Sequence, residues 1–309
     1  MTNKIIAVQG NNLNNLNPLT DTSIFLAKSG ENRGYKIFYY EPENLSIKNK
    51  KVFANGSFIK IDYSKKKFFK IIKKTHIDLS KVKFILVRQD PPFNLEYIST
   101  TYILDTIKNK VRVINNPTSI RNVSEKLYSM KFINFMPDTI FTKKVEDILY
   151  FYKKYKKIIL KPIHSYSGND IIFINNKLNK KIITKFIKKH GHIMCQKFLP
   201  KIKFGDKRVF IINGKICGCI SRVPKAGSIL SNMSKGAKPK LIKLTKREIK
   251  ISKIIAKDLI KEDIYFAGID FIDEKLNGDI NVTSPTGLKT FFDLSNINLA
   301  DYFWKGLRA

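Results

Sequence analysis

The 309-residue sequence predicts an α/β protein whose first part forms a parallel sheet. Short apolar runs alternate with stretches of helical spacing as far as about residue 115, which is typical of strands joined by crossover helices. An apolar fraction of 43% supplies a sizeable core and excludes a disordered chain. At roughly 150 residues per domain, the length indicates two domains or three small ones.

The first part holds four predicted strands and two predicted helices. Asp21 is placed to cap the first helix and Gly34 to end it. Ligands usually bind at the carboxyl ends of parallel strands, so the segments after Val8 and Val87 are candidate binding loops. The predicted elements are strand 5–8, helix 22–33, strand 35–40, strand 83–88, helix 96–108 and strand 111–114.

A boundary is predicted at Asn116-Pro117-Thr118, and strands dominate after Pro200. A polar loop at 164–170 and a turn at 274–278 interrupt this second part. Its predicted helices are 124–132, 145–155, 180–189 and 245–259; its predicted strands are 139–142, 158–161, 171–174, 193–198, 207–212, 215–222, 265–272 and 279–283.

The chain carries 58 basic and 25 acidic residues, a formal net charge of +33. Such an excess usually indicates nucleic acid or an anionic surface. Here 50 of the basic residues are lysine, spread over the whole chain and accompanied by many Ile and Asn, whose codons are also A/T-rich. Compositional bias therefore explains the charge better than a nucleic-acid site does.

Localisation and redox state follow from what the sequence lacks. No apolar run reaches the roughly 18 residues of a membrane span, and the N-terminal run is too short for a signal peptide. Cys195, Cys217 and Cys219 form no CxxC pair, which argues against a zinc site or a disulfide framework. We expect a cytoplasmic protein without a membrane partner.

Lys161 ends a predicted strand and is followed by a loop containing Ser165, Ser167 and Gly168. Loops of small residues expose backbone N–H groups that can hold phosphate, and Lys126 on an earlier helix start would add a second cation. In a chain with so many lysines, a solvated lysine at a strand end is the plainer interpretation. The phosphate site is therefore a hypothesis that needs further support.

Acidic and amide side chains gather on two predicted neighbouring strands. Asp279 and Asn281 alternate on one strand and so point the same way, while Asp270 lies inside the apolar run 266–272. A buried carboxylate needs a partner or a metal, and two carboxylates with an amide oxygen suit Mg²⁺. Asp273 and Glu274, by contrast, fit ordinary turn acids.

Arginine is rare here, and its planar fork binds carboxylate or phosphate at two points. Arg88, Arg121, Arg208 and Arg222 fall at predicted strand ends or domain junctions. For any single one of them, a structural pair with a carboxylate is an equally good interpretation.

Several stretches, in this order and spacing, resemble the bacterial glutathione synthetases, a family of the ATP-grasp superfamily. The resemblance covers nearly the whole chain. The matching stretches are residues 88–93, 101–104, 115–117, 125–127, 159–162, 196–200, 205–209, 222–224, 267–270 and 280–287.

The resemblance implies an ATP-grasp fold in three parts. These are an α/β substrate domain with a parallel sheet at 1–120, a central lid domain at 121–200 and an antiparallel catalytic domain at 201–309. It also implies the ligation of γ-glutamylcysteine to glycine through an acyl phosphate, with ATP as co-substrate and Mg²⁺ or Mn²⁺ as cofactor. Members of the family commonly form tetramers.

The resemblance further implies roles for individual residues. It implies catalytic roles for Arg208, Lys161 and Arg222. It implies that Asp270, Asp279 and Asn281 are metal ligands. The implied ATP contacts are Lys126, Lys161, Ser167, Gly168, Gln196, Lys197, Phe198, Leu199 and Asp206, and the implied substrate contacts are Asp21, Ser23, Arg88, Asn232, Ser284, Pro285, Thr286 and Gly287.

Three departures from the family pattern leave alternatives open. The phosphate loop has one glycine where the family is glycine-rich, and Asp279 replaces a usual Glu after a turn one residue longer. Leu230 stands where the family usually has Arg, so either Lys225 or Lys235 compensates or the acyl phosphate is less stabilised. The alternatives are an ATP-grasp ligase with a different amine acceptor, a weakened paralogue and, from the charge alone, a nucleic-acid binder.

Overall fold

The computed structural model describes residues 4–166 and 168–308 and contains three sheets in that part of the chain. The first sheet has seven strands. They are β1 (Ile5–Gln9), β2 (Lys36–Tyr40), β3 (Leu45–Lys48), β4 (Lys51–Ile61), β5 (Phe69–Asp78), β6 (Phe84–Val87) and β7 (Arg112–Ile114). Their order is β3-β4-β2-β1-β6-β7, with β5 paired to β4.

The prediction of a parallel first sheet is correct only for its centre. β1 pairs parallel with β2 and β6, and β6 pairs parallel with β7, but β4 pairs antiparallel with β2, β3 and β5. No predicted element covers β3, β4 or β5. β5 is exposed along most of its length, so it lacks the apolar run that marks a buried strand.

Three helices belong to this part, namely α1 (Thr22–Asn32), α2 (Leu95–Asp105) and α3 (Pro117–Asn122). The Asp21 carboxylate accepts a 2.7 Å hydrogen bond from the Ile24 N–H and caps α1, and Gly34 follows the helix with a φ of +84°. The predicted helix 124–132 is wrong. A 3₁₀ segment spans Leu127–Phe135 instead, kinked where Phe132 leaves helical backbone angles.

The second sheet has four antiparallel strands in the order β10-β9-β11-β8. One face packs on two amphipathic helices through Ile148, Phe151, Ile183 and Phe186. The elements are β8 (Thr139–Thr142), α4 (Val145–Tyr155), β9 (Ile158–Pro162), β10 (Ile172–Ile174), α5 (Lys180–His190) and β11 (Ile193–Lys197). All six agree with prediction to within one or two residues.

The third sheet is antiparallel, in the order β14-β13-β12-β15-β16. Its strands are β12 (Asp206–Ile212), β13 (Lys215–Val223), β14 (Lys238–Leu241), β15 (Phe266–Ile272) and β16 (Lys275–Asn281); its helices are α6 (Lys246–Lys261), α7 (Leu288–Ser295) and α8 (Leu299–Gly306). Alternation along β12 sends Val209 and Ile211 to the core beneath α6, and Phe210 and Ile212 to the core shared with α7 and α8. No prediction covered β14, α7 or α8.

The predicted turn at 274–278 is wrong, because the reversal is tighter. Asp273 and Glu274 both have positive φ, and β16 already begins at Lys275. The pairing of β15 with β16 then shifts register between Ile269 and Phe271. This irregularity lies at the predicted metal residues.

Asn115 joins the first sheet to the third. Its buried amide group donates 2.7 Å hydrogen bonds to the carbonyls of Phe266 and Val282. Its side-chain oxygen accepts from the backbone N–H groups of Tyr265 and Phe266. One side chain immediately after β7 therefore positions the start of β15 and the end of β16.

The remaining 3₁₀ segments are short: Leu13–Asn15, Pro42–Asn44, Leu79–Lys81, Pro200–Phe204 and Met233–Lys235. None of the helices in the described residues is both long enough and apolar enough to cross a membrane. Each of the three predicted parts contains one of the sheets, and the boundaries at residues 120 and 200 stay predictions.

Candidate active site

A cavity lies between the second and third sheets. Most of the residues predicted to bind ATP or metal line it. Those that line it are Lys126, Lys161, Gly168, Gln196, Lys197, Phe198, Leu199, Asp206, Asp270, Asp279 and Asn281. The predicted catalytic residues Arg208 and Arg222 and the predicted substrate residue Asn232 line it as well. Ser167, also predicted there, lies outside the described residues.

Two buried lysines face each other across Asp279. The Lys126 ammonium donates to the Ser165 carbonyl at 2.6 Å and lies 3.5 Å from one Asp279 oxygen. The Lys161 ammonium lies 3.4 Å from the other Asp279 oxygen and also contacts Asn277. Burial lowers the pKa of Lys161, although the Asp279 charge opposes that shift.

The negative charge of Asp279 is stabilised by these two lysines. Burial acts to raise the pKa of its carboxyl, but the charges of Lys161 and Lys126 outweigh burial and hold that pKa below its ordinary value. The carboxylate is therefore ionised at neutral pH, as a metal ligand must be. Asn281, two residues later on β16, places its amide nitrogen 3.4 Å from Asp270.

Two arginines hold the other carboxylates of the cavity. Arg208 donates two hydrogen bonds to Asp270 at 2.5 and 2.8 Å, and Arg222 does the same to Asp206 at 2.8 and 2.5 Å. Arg222 also lies 3.0 Å from Asp270. Burial raises the pKa of Asp270, yet the two guanidinium groups outweigh it and hold that pKa well below its usual range.

Both carboxylate oxygens of Asp206, a predicted ATP contact, are already hydrogen-bonded within the protein. It is 1% exposed, and besides Arg222 it accepts a 2.6 Å hydrogen bond from the Ser231 hydroxyl. Both of its carboxylate oxygens thus have partners within the protein. The pair of Asp206 with Arg222 joins β12 to β13 and ties the segment after β13 to the cavity wall.

The chemistry of the donor set fits a divalent metal ion. Asp270, Asp279 and Asn281 bring only oxygen ligands to one cavity, and hard cations such as Mg²⁺ prefer oxygen. Within residues 4–166 and 168–308, no three His, Cys, Asp or Glu side chains form a metal cluster. Two carboxylates and an amide would leave other coordination positions to water and to phosphate.

Part of the cavity lining is apolar. Ile159, Leu199, Ile202 and Ile272 belong to this part, and Phe198 packs on Phe173 with ring centroids 4.3 Å apart. The three isoleucines and Asn277 were missed by sequence reasoning. In the sequence Ile159 and Ile272 look like ordinary strand residues and Asn277 falls in the predicted turn, and only the tertiary structure brings them to one cavity.

Two loops meet above the cavity. Gly168 has a φ of +72°, and a Cβ there would lie 2.6 Å from the side-chain oxygen of Asn232. Leu230 lines the cavity next to Asn232, whereas neither Lys225 nor Lys235 is among its lining residues in the described chain. Compensation by either lysine for the missing arginine therefore finds no support in this geometry.

The remaining predicted substrate residues gather outside the cavity, at the carboxyl ends of β1 and β6. Arg88 is buried and donates to the Ser23 hydroxyl at 3.1 Å and the Pro285 carbonyl at 2.8 Å, while Ser284 donates to the Arg88 carbonyl. Burial raises the pKa of Asp21, the residue before Thr22. The Thr22 hydroxyl accepts from the Gly287 N–H at 3.0 Å, and Thr286 is exposed.

Two side chains show where the second cluster, formed by Asp21, Ser23, Arg88 and residues 284–287, ends. Glu125 lines the cavity and accepts hydrogen bonds from Val282 and Thr283, so the 282–287 segment adjoins the cavity. Arg121 pairs with Asp105 and packs on the Tyr102 ring, away from both clusters. For Arg121, the structural interpretation is the correct one.

The whole architecture is that of the ATP-grasp ligases. The chain superposes on D-cycloserine synthetase with a TM-score of 0.69 at 11% identity, covering 98% of both chains. It superposes on D-alanyl-alanine synthetase A of Vibrio cholerae with a TM-score of 0.61 at 12% identity, covering 100% of this chain and 98% of that one. At such low identity the likeness shows the fold, and the predicted fold class is confirmed.

The particular family follows from sequence. Residues 5–121 match the model of the N-terminal domain of prokaryotic glutathione synthetase, and residues 125–296 match that of its ATP-grasp domain. Glutathione synthetase of Mesorhizobium japonicum is 33% identical, covering 98% of both chains; that of Buchnera aphidicola subsp. Acyrthosiphon pisum is 34% identical, covering 97% of this chain and 96% of that one. This chain belongs to the prokaryotic glutathione synthetase family, which confirms the predicted class of ATP-dependent ligase.

Proposed function

We propose that this protein joins γ-glutamylcysteine to glycine, using ATP and Mg²⁺ or Mn²⁺. Family membership over nearly the full length supports the reaction, and the relatives carry the name glutathione synthetase. The observation that carries the proposal is a cavity that brings four cationic side chains to two carboxylates suited to a metal ion. The cations are Lys126, Lys161, Arg208 and Arg222, and the carboxylates are Asp270 and Asp279. ATP-grasp ligases as a class use ATP and a divalent metal ion, which matches this arrangement.

The first step forms an acyl phosphate. A carboxylate oxygen of the cysteinyl residue attacks the γ-phosphorus of ATP, the bond to the bridging oxygen breaks, and ADP leaves. Lys126 and Lys161 hold the phosphates, and Arg208 with Arg222 neutralises the negative charge that gathers as the two anions meet. Asp270, Asp279 and Asn281 would hold the metal ion, which when bound supplies further positive charge to the phosphates.

The second step forms the peptide bond. The glycine amine attacks the acyl carbon, phosphate leaves, and the amine loses a proton. Acyl phosphates hydrolyse readily, so the reaction needs a cavity that excludes water. The meeting of Gly168 with Asn232 above the cavity supports that role for the two loops.

The second cluster is the proposed binding site of the peptide substrate. We assign the peptide substrate to the region of Asp21, Ser23, Arg88 and the 284–287 segment, with Asn232 reaching it from the cavity roof. Glu125 and Thr283 connect this region to the cavity, which supports a substrate whose carboxylate enters beside the phosphates. A tetramer and a cytoplasmic location, implied by the family, complete the proposal.

A coupled assay with an amine panel tests the proposal. Purified protein with γ-glutamylcysteine, ATP and Mg²⁺ is expected to release phosphate when glycine is added and to form the tripeptide. Each other amino acid is tried in the place of glycine, and Mn²⁺ in the place of Mg²⁺. Faster turnover with another amine would identify a ligase with a different acceptor, and no turnover with any amine would contradict the proposal.

A further inference from the structure

The strand that carries Asp279 contains a β-bulge with two extra residues beside the two buried lysines. β15 and β16 pair at Ile269 with Ile280 and again at Phe271 with Leu276. Between these pairs, Asp270 alone on β15 lies opposite Asn277, Gly278 and Asp279 on β16. Bulges of this kind turn backbone and side-chain groups out of the ladder and are frequent next to active sites.

The bulge presents Asn277 to Lys161 twice. The Lys161 ammonium donates to the Asn277 backbone carbonyl at 2.8 Å and to its side-chain oxygen at 2.9 Å. The third acceptor is Asp279, at the longer distance of 3.4 Å. A lysine ammonium has three N–H donors, so all three are matched, and Asn277 takes the two shorter contacts.

Gly278 makes this arrangement possible. It has a φ of +83°, and a Cβ there would lie 2.7 Å from the terminal methyl of Met194 and 2.9 Å from that of Met136. Met194 pairs with Lys161 in the second sheet. The bulge of the third sheet therefore packs directly against the pair of strands that carries Lys161.

We propose that Asn277 is a positioning residue, which holds the Lys161 ammonium at the place where it meets a nucleotide phosphate. The two Asn277 contacts persist when nucleotide binds. The third N–H of Lys161, which contacts Asp279 in this structure, is then donated to a phosphate oxygen. Asp279 is then released from Lys161, and its carboxylate would be free to hold a divalent metal ion. This inference rests on the proposed ATP-binding role of Lys161.

The test compares nucleotide binding in four proteins. Titration calorimetry with Mg²⁺ and the non-hydrolysable ATP analogue AMPPNP is applied to wild type, Asn277→Ala, Lys161→Met and the double variant. Asn277→Ala keeps the backbone contact but loses the side-chain one, so we expect about fivefold to tenfold weaker binding. In the Lys161→Met background the same change is expected to alter affinity by less than about twofold, because the ammonium it positions is gone.

A matched control and a kinetic measurement separate positioning from folding. Asn55→Ala makes the same change at an exposed site on β4 and is expected to leave binding unchanged. With substrate present, Asn277→Ala should raise KM for ATP by a similar factor while kcat and KM for glycine stay within about twofold of wild type.

The outcomes distinguish this inference from the proposed function. No binding of AMPPNP by wild type would overturn the proposed function itself. Equal or tighter binding by Asn277→Ala would overturn only the inference, as would an equal loss in both Lys161 backgrounds, which would indicate a structural role independent of the ammonium.

Discussion

At the scale of single residues, the informative feature is which charges are buried. Among the described residues, Lys126 and Lys161 are the only lysines that are buried, and both line the cavity. Of the arginines, Arg88, Arg208 and Arg222 are buried, and each is held by a predicted functional segment. Burying a charge is costly unless it is paired, so the burial of these five side chains points to a specific role that the many exposed lysines do not have.

Asp270 is expected to be structural as well as a metal ligand. We expect Asp270→Asn to reduce the free energy of unfolding by about 3–5 kcal/mol, because it leaves the buried Arg208 without its bidentate partner. Asp279→Asn is the comparison variant, and we expect it to cost less, because its contacts with the two lysines are longer, at 3.4 and 3.5 Å, and each lysine keeps a carbonyl acceptor.

Urea denaturation and turnover are measured on both variants. Both should lose Mg²⁺-dependent turnover if the proposed ligands are correct. Equal stability of the two variants would show that the pair of Arg208 with Asp270 contributes little to the fold.

The same carboxylates predict how stability depends on pH. Asp270 and Asp279 have pKa values below their ordinary range when folded, so each stabilises the fold above about pH 4, where the unfolded side chain is ionised. That contribution is lost as pH falls through the lowered pKa. We expect the free energy of unfolding to fall below about pH 4.5 by up to about 1.4 kcal/mol per pH unit for each group.

Urea denaturation between pH 7 and pH 3 measures this dependence. Asp279→Asn should show a shallower fall than wild type, because one of the two groups no longer titrates. An identical pH profile for the two proteins would show that the lysines do not hold the Asp279 carboxyl in its ionised form.

At the scale of elements, the bulge in β16 is the feature that decides the geometry of the cavity. It turns the Asn277 carbonyl into the cavity and places Gly278 against two buried methionines. In the sequence, Gly278 reads as a turn residue. It instead allows close packing between two sheets, which only the pairing of β15 with β16 reveals.

Gly278→Ala tests the bulge. We expect it to lower the free energy of unfolding by about 1–2 kcal/mol through the positive φ alone, with a further loss from the contacts with Met194 and Met136. Gly191→Ala is the matched control, since Gly191 has a φ of +70° and nothing within 4 Å of an added Cβ. Thermal and urea denaturation of the two variants therefore isolate the packing contribution, and equal losses would contradict it.

At the scale of the whole molecule, one asparagine connects the first and third sheets. Asn115 makes four buried hydrogen bonds to backbone groups more than 100 residues away. The second cluster depends on the same contact, because the segment 282–287 begins at one of these backbone groups. Loss of this connection should therefore affect both stability and the peptide site.

Asn115→Ala is expected to cost about 3 kcal/mol or more, because several buried backbone groups lose their partner at once. Asn116→Ala, the next residue, removes a helix cap and a hydrogen bond to Asp263, and should cost only about 1 kcal/mol. Urea denaturation measures both. A cost for Asn115→Ala no larger than that for Asn116→Ala would show that the two sheets are held by their apolar contacts alone.

The sequence predicted strands and helices best where burial is one-sided and periodic. All six elements of the second sheet and its helices agree with prediction, since the apolar residues of both helices recur at helical spacing and fill one core with the strands. β5 was missed because it is exposed along most of its length and carries lysines on both faces. The 3₁₀ segment at Leu127–Phe135 was predicted as an α-helix because its spacing of apolar residues suits either form.

The family, the succession of most elements and the kinds of side chain available for the chemistry can be read from the sequence, because they depend on local order and motif spacing. Which charges meet depends on how distant parts of the chain fold together. Lys161 and Asp279 are 118 positions apart, and Arg208 and Asp270 are 62 apart. Whether a lysine is solvated or buried depends on such distant strands coming together, and no local pattern records that.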